Sequence, residues 1–313
     1  MSAPDPGHLT GRRMIVTGAN TGLGLASATA FLRAGAEVVL AVRNLEKGAQ
    51  ALEKIEVAAT GWPQAVSANL TQRVRVERLD LADLRSVDEF GAAEAARGPL
   101  HVLMNNAGVM LVPRRALTVD GFEMHMGTNH LGHFALTARL LPALTAAGGR
   151  VVSLSSIAAR SAPRIDPGMN LIGGYAPMRA YAQSKLATLL FGLELNRRLR
   201  AAGSPVTSLV AHPGWSATEL FDRNDEPGLA VALGRRATAL LGSAAADAAR
   251  SQIAAATDRE LPGGSFVGPA LVVRGRPHLA RLPAGALDPI GAAWLWETSA
   301  GLTGARYDLP EPS

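Results

Sequence analysis

The residues best suited to chemistry in this sequence are a tyrosine and a lysine that stand four positions apart, Tyr181 and Lys185. Residues at this spacing lie on one face of a helix, so the phenol and the ammonium group can reach the same site. A phenol ordinarily titrates near pH 10, and a nearby cation lowers its pKa because the cation favours the phenolate. A pKa of about 7 requires roughly 4 kcal/mol of differential stabilisation. The pair could then act as a general acid and base, although the spacing also fits a half-buried tyrosine beside a solvated lysine.

A glycine-rich turn near the amino terminus is the second chemical feature. The apolar run 12–17 leads into Gly18, Gly22 and Gly24, and an apolar helical pattern follows as far as Leu32. Such glycines let backbone N–H groups approach a diphosphate, and the helix N-terminus attracts negative charge. The order of strand, turn and helix predicts a dinucleotide site, with an ordinary tight turn as the alternative.

An arginine follows the next predicted strand, which covers residues 37–42. An acidic residue commonly occupies this place when the ribose of NAD is bound, whereas an arginine suits the 2′-phosphate of NADP. Arg43 therefore favours NADP(H), and NAD(H) is the less favoured cofactor. Glu46 could neutralise Arg43, Lys47 could add a second phosphate contact, and Arg43 could instead be a solvated loop residue.

Polar residues also follow two later strands. Asp80 closes strand 74–79, where its carboxylate could bind an adenine amino group, cap the helix that follows, or do both. Strand 100–104 leads into Asn105-Asn106-Ala107-Gly108, whose small residues and side-chain amides suit a loop close to a nucleotide. Asn129 lies within a predicted helix over 120–147, where asparagine is unfavourable by propensity and needs a reason.

Composition limits the classes of protein. The 313 residues include no cysteine, carry a net charge of +5 and are 48% hydrophobic, which predicts a large aliphatic core and no thiolate chemistry. No block of like charges indicates nucleic acid, and His130 and His133 lack a third metal ligand, so no metal is expected. Without an apolar segment of signal or membrane-spanning length, the expected location is cytoplasmic, with no membrane anchor.

Strands and helices alternate along the chain, which predicts one α/β domain over 1–313. We expect a Rossmann-type doubly wound parallel sheet of about seven strands with helices on both faces. The predicted strands cover 12–17, 37–42, 74–79, 100–104, 150–154, 206–211 and 271–273, and the predicted helices cover 46–59, 83–96, 120–147, 178–200, 244–257 and 290–298.

Together these motifs resemble the short-chain dehydrogenase/reductase family over nearly the whole chain. The matching motifs are Thr17-Gly-x-x-x-Gly22-x-Gly24, Asp80, Asn105-Asn-Ala-Gly108, Asn129, Ser155-Ser156, Tyr181-x-x-x-Lys185 and Pro213-Gly-x-x-x-Thr218. The wide gap between Ser156 and Tyr181 and the segment 295–304 resemble the branch of retinol dehydrogenases and related bacterial oxidoreductases. That branch contains many members of unknown substrate.

The resemblance implies an oxidoreductase with a catalytic tetrad of Asn129, Ser156, Tyr181 and Lys185. Ser156 is preferred to Ser155 because the family's serine is usually the second of such a pair. The resemblance also implies that Thr218 binds the nicotinamide carboxamide. The implied cofactor contacts are Gly18, Asn20, Thr21, Gly22, Leu23, Gly24, Arg43, Asp80, Leu81, Asn106, Ala107, Gly108, Tyr181, Lys185, Pro213, Gly214 and Thr218.

Two other functions remain open at this stage. The chain could bind NADP as a sensor or scaffold without catalysis, or it could be an isomerase or lyase that retains its nucleotide. An intact tetrad speaks against the first, and the glycine spacing speaks against the second. For an oxidoreductase, the apolar segment 215–241 would cover a lipophilic alcohol or carbonyl, or would simply pack on the core.

Assembly is a further expectation from the resemblance. The helices near 120–147 and 178–200 pair between chains in this family. Leu186, Leu189, Leu190 and Leu193 form an apolar face on the second of these helices. We therefore expect a homodimer or homotetramer.

Overall fold

The structure is a computed structural model that describes residues 5, 7–213, 245–271 and 275–309. It contains an eight-stranded sheet in the order β3-β2-β1-β4-β5-β6-β7-β8, in which β1 to β7 are parallel and β8 runs antiparallel to β7. The strands are β1 (Arg13–Thr17), β2 (Glu37–Val42), β3 (Val74–Arg78), β4 (Val102–Asn105), β5 (Arg150–Leu154), β6 (Thr207–Ala211), β7 (Phe266–Pro269) and β8 (Pro277–Leu279). The predicted parallel sheet is confirmed, with one strand more than expected.

The helices lie on both faces of this sheet. They are α1 (Gly22–Arg33), α2 (Leu45–Ala59), α3 (Gln64–Ser67), α4 (Leu70–Arg73), α5 (Leu84–Ala95), α6 (Gly132–Ala147), α7 (Pro177–Ala201), α8 (245–257) and α9 (Pro289–Thr303). A π-helix, Met126–Leu131, precedes α6, and short 3₁₀ helices cover Ile157–Ser161 and Ala284–Leu287.

Two predicted elements need correction. The helix predicted over 120–147 contains the π-helix, which the apolar pattern did not reveal. The last strand was predicted at 271–273, but Leu271 lies in a turn and residues 272–273 are outside the described part. Strand β7 lies earlier, at Phe266–Pro269, and its Gly268 and Pro269 are residues that ordinarily mark a turn.

Burial on both faces explains why the central strands are continuously apolar. Every residue of β1 is buried. Val16 packs in the cluster that contains Phe31 of α1, whereas its neighbour Ile15 packs in the cluster that contains Phe90 of α5 and Phe134 of α6. Successive side chains of one strand therefore join different helix layers, as a doubly wound sheet requires.

The carboxyl ends of the strands meet where the strand order reverses. β1 lies between β2 and β4, so the chain leaves β1 toward one side of the sheet and leaves β4 toward the other. In open α/β sheets this point forms the crevice in which ligands bind. The loops after β1, β4 and β5, together with α7, form the site described next.

Candidate active site

The glycine turn after β1 is shaped by close approaches that exclude a side chain. Gly18 has a φ of 65°, and a Cβ there would lie 2.9 Å from the Ala107 Cα. A Cβ on Gly24 would lie 2.4 Å from the Gly18 carbonyl oxygen. These contacts hold α1 against the turn and the turn against the loop after β4.

The N-terminus of α1 can accept an anion. Thr21 occupies the N-cap position but its side chain makes no capping hydrogen bond, and the first turn contains no acidic residue. The leading N–H groups of the helix therefore lack a side-chain acceptor and carry the positive end of the helix dipole. This chemistry fits the diphosphate of a dinucleotide, with Gly22 and Leu23 in the first turn.

The Thr17 hydroxyl joins this turn to the loop after β4. Thr17 Oγ1 accepts hydrogen bonds from the backbone N–H groups of Asn106 and Ala107, each at 2.9 Å. In return, Asn106 Nδ2 donates to the Thr17 carbonyl at 2.8 Å. The glycine turn and the loop after β4 are thus fixed relative to each other by residues from both.

Gln252 of α8 is a member of this network that the sequence did not indicate. Its Nε2 donates to Asn106 Oδ1 at 3.1 Å and to Ser27 Oγ at 2.8 Å, and the side chain is buried. With Thr17 on one side and Gln252 on the other, the Asn106 amide is held as both donor and acceptor. The only signal in the sequence was one polar residue on an otherwise apolar helix face.

Arg43 and Asp80 stand at the ends of adjacent strands with groups available for a nucleotide. Arg43 is exposed and forms no ion pair with any residue that the structure describes, Glu46 included. Asp80 Oδ1 accepts a hydrogen bond from the Ala82 N–H at 3.0 Å. The N-cap of α5 is Asp83, which accepts from Arg85 and Ser86. The alternative that Asp80 caps this helix is therefore wrong.

Leu81, expected among the cofactor contacts, is buried beside the start of α6. A Cβ on Gly132 would lie 2.4 Å from the Leu81 carbonyl oxygen. The glycine therefore lets the helix approach this backbone closely. The loop after β3 is thus fixed against the segment that carries Asn129.

Asn129 lies in the π-helix and is 1% exposed. Its Oδ1 accepts from the Val109 N–H at 2.7 Å, and its Nδ2 donates to the Val109 carbonyl at 3.0 Å and to Ser184 Oγ at 2.9 Å. The amide therefore joins the loop after β4 to α7. This cross-link, placed in a wide helical turn of the kind found at functional sites, gives the reason for an asparagine within a helix.

Tyr181 and Lys185 lie on one face of α7, and both are largely buried. Lys185 Nζ lies 5.8 Å from the centre of the Tyr181 ring and donates to the Leu154 carbonyl at 2.8 Å. A Cβ on the exposed Gly108 would lie 3.5 Å from Nζ and 3.0 Å from Asn129 Oδ1. The fold thus brings the tyrosine, the lysine and the asparagine to one opening beside Gly108.

The two serines after β5 have different partners. Ser155 Oγ donates to the Lys185 carbonyl at 2.7 Å, which ties α7 to the end of β5. Ser156 Oγ accepts from the Ala158 N–H at 3.2 Å and donates to none of the described residues. Ser156 therefore retains a hydroxyl hydrogen that a bound molecule could use.

Two buried histidines flank Asn129 in structural roles. His133 Nδ1 lies 3.0 Å from the Asn129 carbonyl oxygen, and its Nε2 lies 2.9 Å from Thr17 Oγ1. Burial lowers the pKa of His133 to about 4. The hydrogen bond to the Asn129 carbonyl opposes this shift, and the charge of Lys185 adds to it. Burial and the neighbouring His133 lower the pKa of His130 to about 3. Within the described ranges, no three His, Asp or Glu side chains group as metal ligands.

The remaining predicted contacts follow β6. Pro213 is buried directly after the strand. Gly214, Thr218 and the predicted covering segment 215–241 lie outside the described residues. In the part of the chain that the structure describes, no helix is both long and apolar enough to span a bilayer.

The family comparison is consistent with this geometry. The model of the short chain dehydrogenase family matches residues 12–227. A solved structure of an uncharacterized protein from Mycobacterium Paratuberculosis is 41% identical, with a TM-score of 0.79 over 98% of each chain. An NAD(P)-dependent gluconate 5-dehydrogenase from Beutenbergia cavernae, solved with NADP, is 23% identical, with a TM-score of 0.59 over 84% of this chain and 96% of that one. At that identity the second likeness shows the fold alone.

Curated relatives include a polyprenol dehydrogenase and a retinol dehydrogenase. Mouse (Mus musculus) polyprenol dehydrogenase is 45% identical over 226 residues, which are 70% of this chain and 62% of the relative. Human (Homo sapiens) retinol dehydrogenase 11 is 45% identical over 217 residues, which are 68% of this chain and 64% of the relative. The chain thus matches somewhat under two thirds of these relatives' length. The family match and the shared motifs lead to one conclusion: the chain belongs to the short chain dehydrogenase family of oxidoreductases.

Proposed function

We propose that this chain, as one domain, is an NADP(H)-dependent oxidoreductase that interconverts an alcohol and a carbonyl on a lipophilic small molecule. The observation that carries the proposal is the position of Lys185. Its ammonium group is held by the Leu154 carbonyl, 5.8 Å from the Tyr181 ring and beside Gly108. A buried cation at this place favours the phenolate and so prepares Tyr181 for proton transfer.

The residues of the tetrad have complementary tasks in this proposal. The nicotinamide, when bound, supplies or accepts the hydride. Tyr181 donates a proton to the substrate oxygen during reduction and removes it during oxidation. Ser156 donates its hydroxyl hydrogen to the same oxygen and stabilises the charge that develops there. Lys185 lowers the pKa of the tyrosine, and Asn129 holds the loop after β4 against α7.

The preference for NADP(H) is supported by Arg43. The guanidinium group is exposed at the end of β2 and has no acidic partner among the described residues, so it is available to a phosphate. An arginine can form two charge-assisted hydrogen bonds with the 2′-phosphate and can stack on adenine. Asn44, rather than Arg43, caps α2 by accepting from the Lys47 N–H at 2.9 Å.

The substrate class is supported by the relatives. Polyprenol dehydrogenase and retinol dehydrogenase are named for long, apolar alcohols. In this chain the proposed covering segment 215–241 contains Trp215, Leu220 and Phe221, and its apolar side chains suit such a molecule. Thr218 and Gly214 complete the proposed cofactor contacts after Pro213.

The proposal is tested by replacing one hydroxyl group. A panel of apolar alcohols and aldehydes, followed by the absorbance of reduced nicotinamide, would first find a substrate for the wild-type chain. Tyr181→Phe should then fold, bind NADP(H) with unchanged affinity and lose at least a hundredfold in kcat, within the usual range for a general acid. Tyr307→Phe removes a hydroxyl that donates to the Phe134 carbonyl at 2.7 Å and should leave kcat unchanged.

Three outcomes would oppose the proposal. Near-wild-type turnover of Tyr181→Phe would exclude the tyrosine as the proton donor. NADP binding without turnover on any alcohol or carbonyl would favour a sensor or scaffold. Nucleotide that stays bound through purification and is not consumed would favour an isomerase or lyase.

The oligomeric state needs a separate proposal, because three of the four leucines of the expected pairing face are buried within one chain, whereas Leu193 is partly buried. Leu186 and Leu189 are fully buried and Leu190 is 2% exposed. They pack in the cluster that contains Ala292 and Leu295 of α9. A homodimer or homotetramer would have to displace α9 or use another surface. We therefore propose that α9 keeps the chain monomeric.

A further inference from the structure

A buried acid–histidine pair lies behind the proposed catalytic tyrosine. Glu123 and His125 are 1% and 0% exposed. His125 Nδ1 lies 2.8 Å from Glu123 Oε1, and the His125 ring stands edge-on to the Tyr181 ring with centres 6.3 Å apart. Neither residue belongs to the predicted tetrad or to the cofactor contacts. A charged group buried this completely needs a structural or functional reason.

His125 binds the loop that follows the opening at Gly108. Its Nε2 accepts a hydrogen bond from the Val112 N–H at 3.3 Å. The Tyr175 hydroxyl donates to the Val112 carbonyl, and the Tyr175 ring lies 6.4 Å from the His125 ring. Residues from two other segments thus hold both backbone groups of Val112.

The segment 109–112 is consequently fixed at both ends. Asn129 binds both backbone groups of Val109, and His125 and Tyr175 bind those of Val112. Between them Leu111 has a φ of 52°, a left-handed conformation that is unfavourable for a non-glycine residue. Such a conformation persists only where the surroundings impose it, and these four hydrogen bonds contribute to the constraint.

The hydrogen bonds define the protonation of the pair. Because Nε2 accepts from Val112, the proton of neutral His125 is on Nδ1 and points to Glu123. Glu123 Oε1 also accepts from the His125 N–H at 3.0 Å, and Oε2 accepts from the Met126 N–H at 2.9 Å. Burial alone raises the pKa of Glu123, but these hydrogen bonds hold it below its ordinary value. The carboxylate therefore fixes the tautomer that binds the loop.

We propose that His125, oriented by Glu123, is a positioning residue that holds segment 109–112 as an apolar wall of the substrate cleft. The segment starts beside Gly108, at the opening shared by Lys185 and Asn129, and carries the partly exposed apolar side chains of Met110 and Leu111. Such a wall selects a lipophilic ring or chain attached to the reacting carbon. This inference rests on the proposed function for its substrate and on the backbone geometry for its mechanism.

Hydrogen–deuterium exchange tests the anchor without any substrate. In His125→Phe the peptide that covers 109–117 should exchange faster than in the wild type, because Val112 loses its acceptor. His125→Gln should restore slow exchange, since the glutamine amide can donate to Glu123 and accept from Val112. The matched control is His101→Phe, because His101 Nδ1 also accepts from a backbone N–H, that of Arg13, at 3.1 Å. His101 directly precedes β4, at the amino-terminal ends of the strands, whereas 109–117 follows the carboxyl end of β4, so its replacement should not affect 109–117.

Kinetics test the role of the wall. With a substrate from the panel, His125→Phe should raise KM by roughly three- to tenfold, the effect of about one neutral hydrogen bond. The Kd of NADP(H) should stay unchanged, and His125→Gln should restore KM. If His125→Phe does not fold, Tyr175→Phe removes the second anchor of Val112 and should shift exchange and KM in the same direction.

The inference is overturned if His125→Phe, or Tyr175→Phe in its place, leaves exchange and KM unchanged. It is also overturned if NADP(H) binding weakens as much as KM rises, because that result would indicate general loosening. A wild-type chain without turnover on any alcohol or carbonyl would instead refute the proposed function. The hydrogen–deuterium exchange measurement would then still decide whether His125 holds the segment 109–112.

Discussion

Acidification should destabilise this protein because three of its histidines are buried in the neutral form. Burial lowers the pKa of His130 to about 3 and those of His133 and His212 to about 4, with neighbouring basic side chains adding to each shift. In the unfolded chain a histidine titrates near 6.5. Between about 6.5 and 4 the unfolded chain therefore binds more protons than the folded chain. The unfolding free energy must fall as the pH falls through this window.

The size of the effect follows from proton linkage. Lowering the pH from about 7 to about 5 protonates an exposed histidine almost completely but leaves His130 neutral in the folded state. This difference removes about 2 kcal/mol of unfolding free energy for each such histidine. His130 is the most informative to replace because its Nε2 lies 2.7 Å from Ser299 Oγ, and a glutamine there can keep that contact.

Urea unfolding of wild type and His130→Gln at both pH values measures the effect. The difference in unfolding free energy between the two pH values should be about 2 kcal/mol smaller in His130→Gln than in the wild type. The control is His8→Gln, because His8 is exposed and its replacement should leave the pH dependence unchanged. Equal pH dependence of wild type and His130→Gln would show that His130 is protonated in the folded protein, and the reasoning from burial would fail.

Three further predictions concern the site and the assembly. Arg43→Ala should weaken the binding of NADP(H) roughly ten- to a hundredfold and leave the kinetics with NAD(H) unchanged. Equal losses with both cofactors would show that Arg43 does not bind the 2′-phosphate. Ser156→Ala should lower kcat at least tenfold, whereas Ser155→Ala should mainly lower stability. Each change removes one hydrogen bond, to the Ala158 N–H and to the Lys185 carbonyl respectively, and should cost about 1 kcal/mol of stability. The reverse pattern in kcat would exchange their roles. Light scattering at micromolar concentration should give a monomer mass, and a dimer mass would show that another surface pairs.

The parts of the fold that repeat along the chain could be predicted from the sequence. Most of the strands β1 to β6 were located because they are short apolar runs followed by polar or small residues at their carboxyl ends, whereas β3, at the edge of the sheet, alternates valine with charged residues. The glycine turn was located by its local pattern of strand, glycines and helix, although the contacts that exclude a side chain at Gly18 come from Ala107 in the loop after β4. Tyr181 and Lys185 were located by their spacing alone, which places them on one face of α7.

Contacts between distant segments could not be predicted in the same way. Gln252 and Asn106 are 146 positions apart, and a glutamine on an apolar helix gives no indication of its partner. The burial of Leu186 and Leu189 in a cluster that includes residues of α9 has the same origin. An apolar face predicts burial, but whether the cover comes from the same chain or from a second copy depends on where α9 packs. The expected pairing therefore stays a prediction, which the mass in light scattering decides.

The π-helix shows how one local departure from regular geometry serves both halves of the site. Each residue of an α-helix turns the chain by about 100°, so the extra residue in a π-turn shifts the direction of every side chain before it relative to α6. Asn129 uses that shift to bind Val109 and Ser184 with its side chain, while its carbonyl oxygen lies 3.0 Å from His133 Nδ1. His133 in turn contacts the Thr17 hydroxyl that holds the glycine turn. Removing one residue from this turn would rotate Asn129 away from Val109 even if the apolar face of α6 stayed buried, so the loop after β4 and the glycine turn would lose their common support.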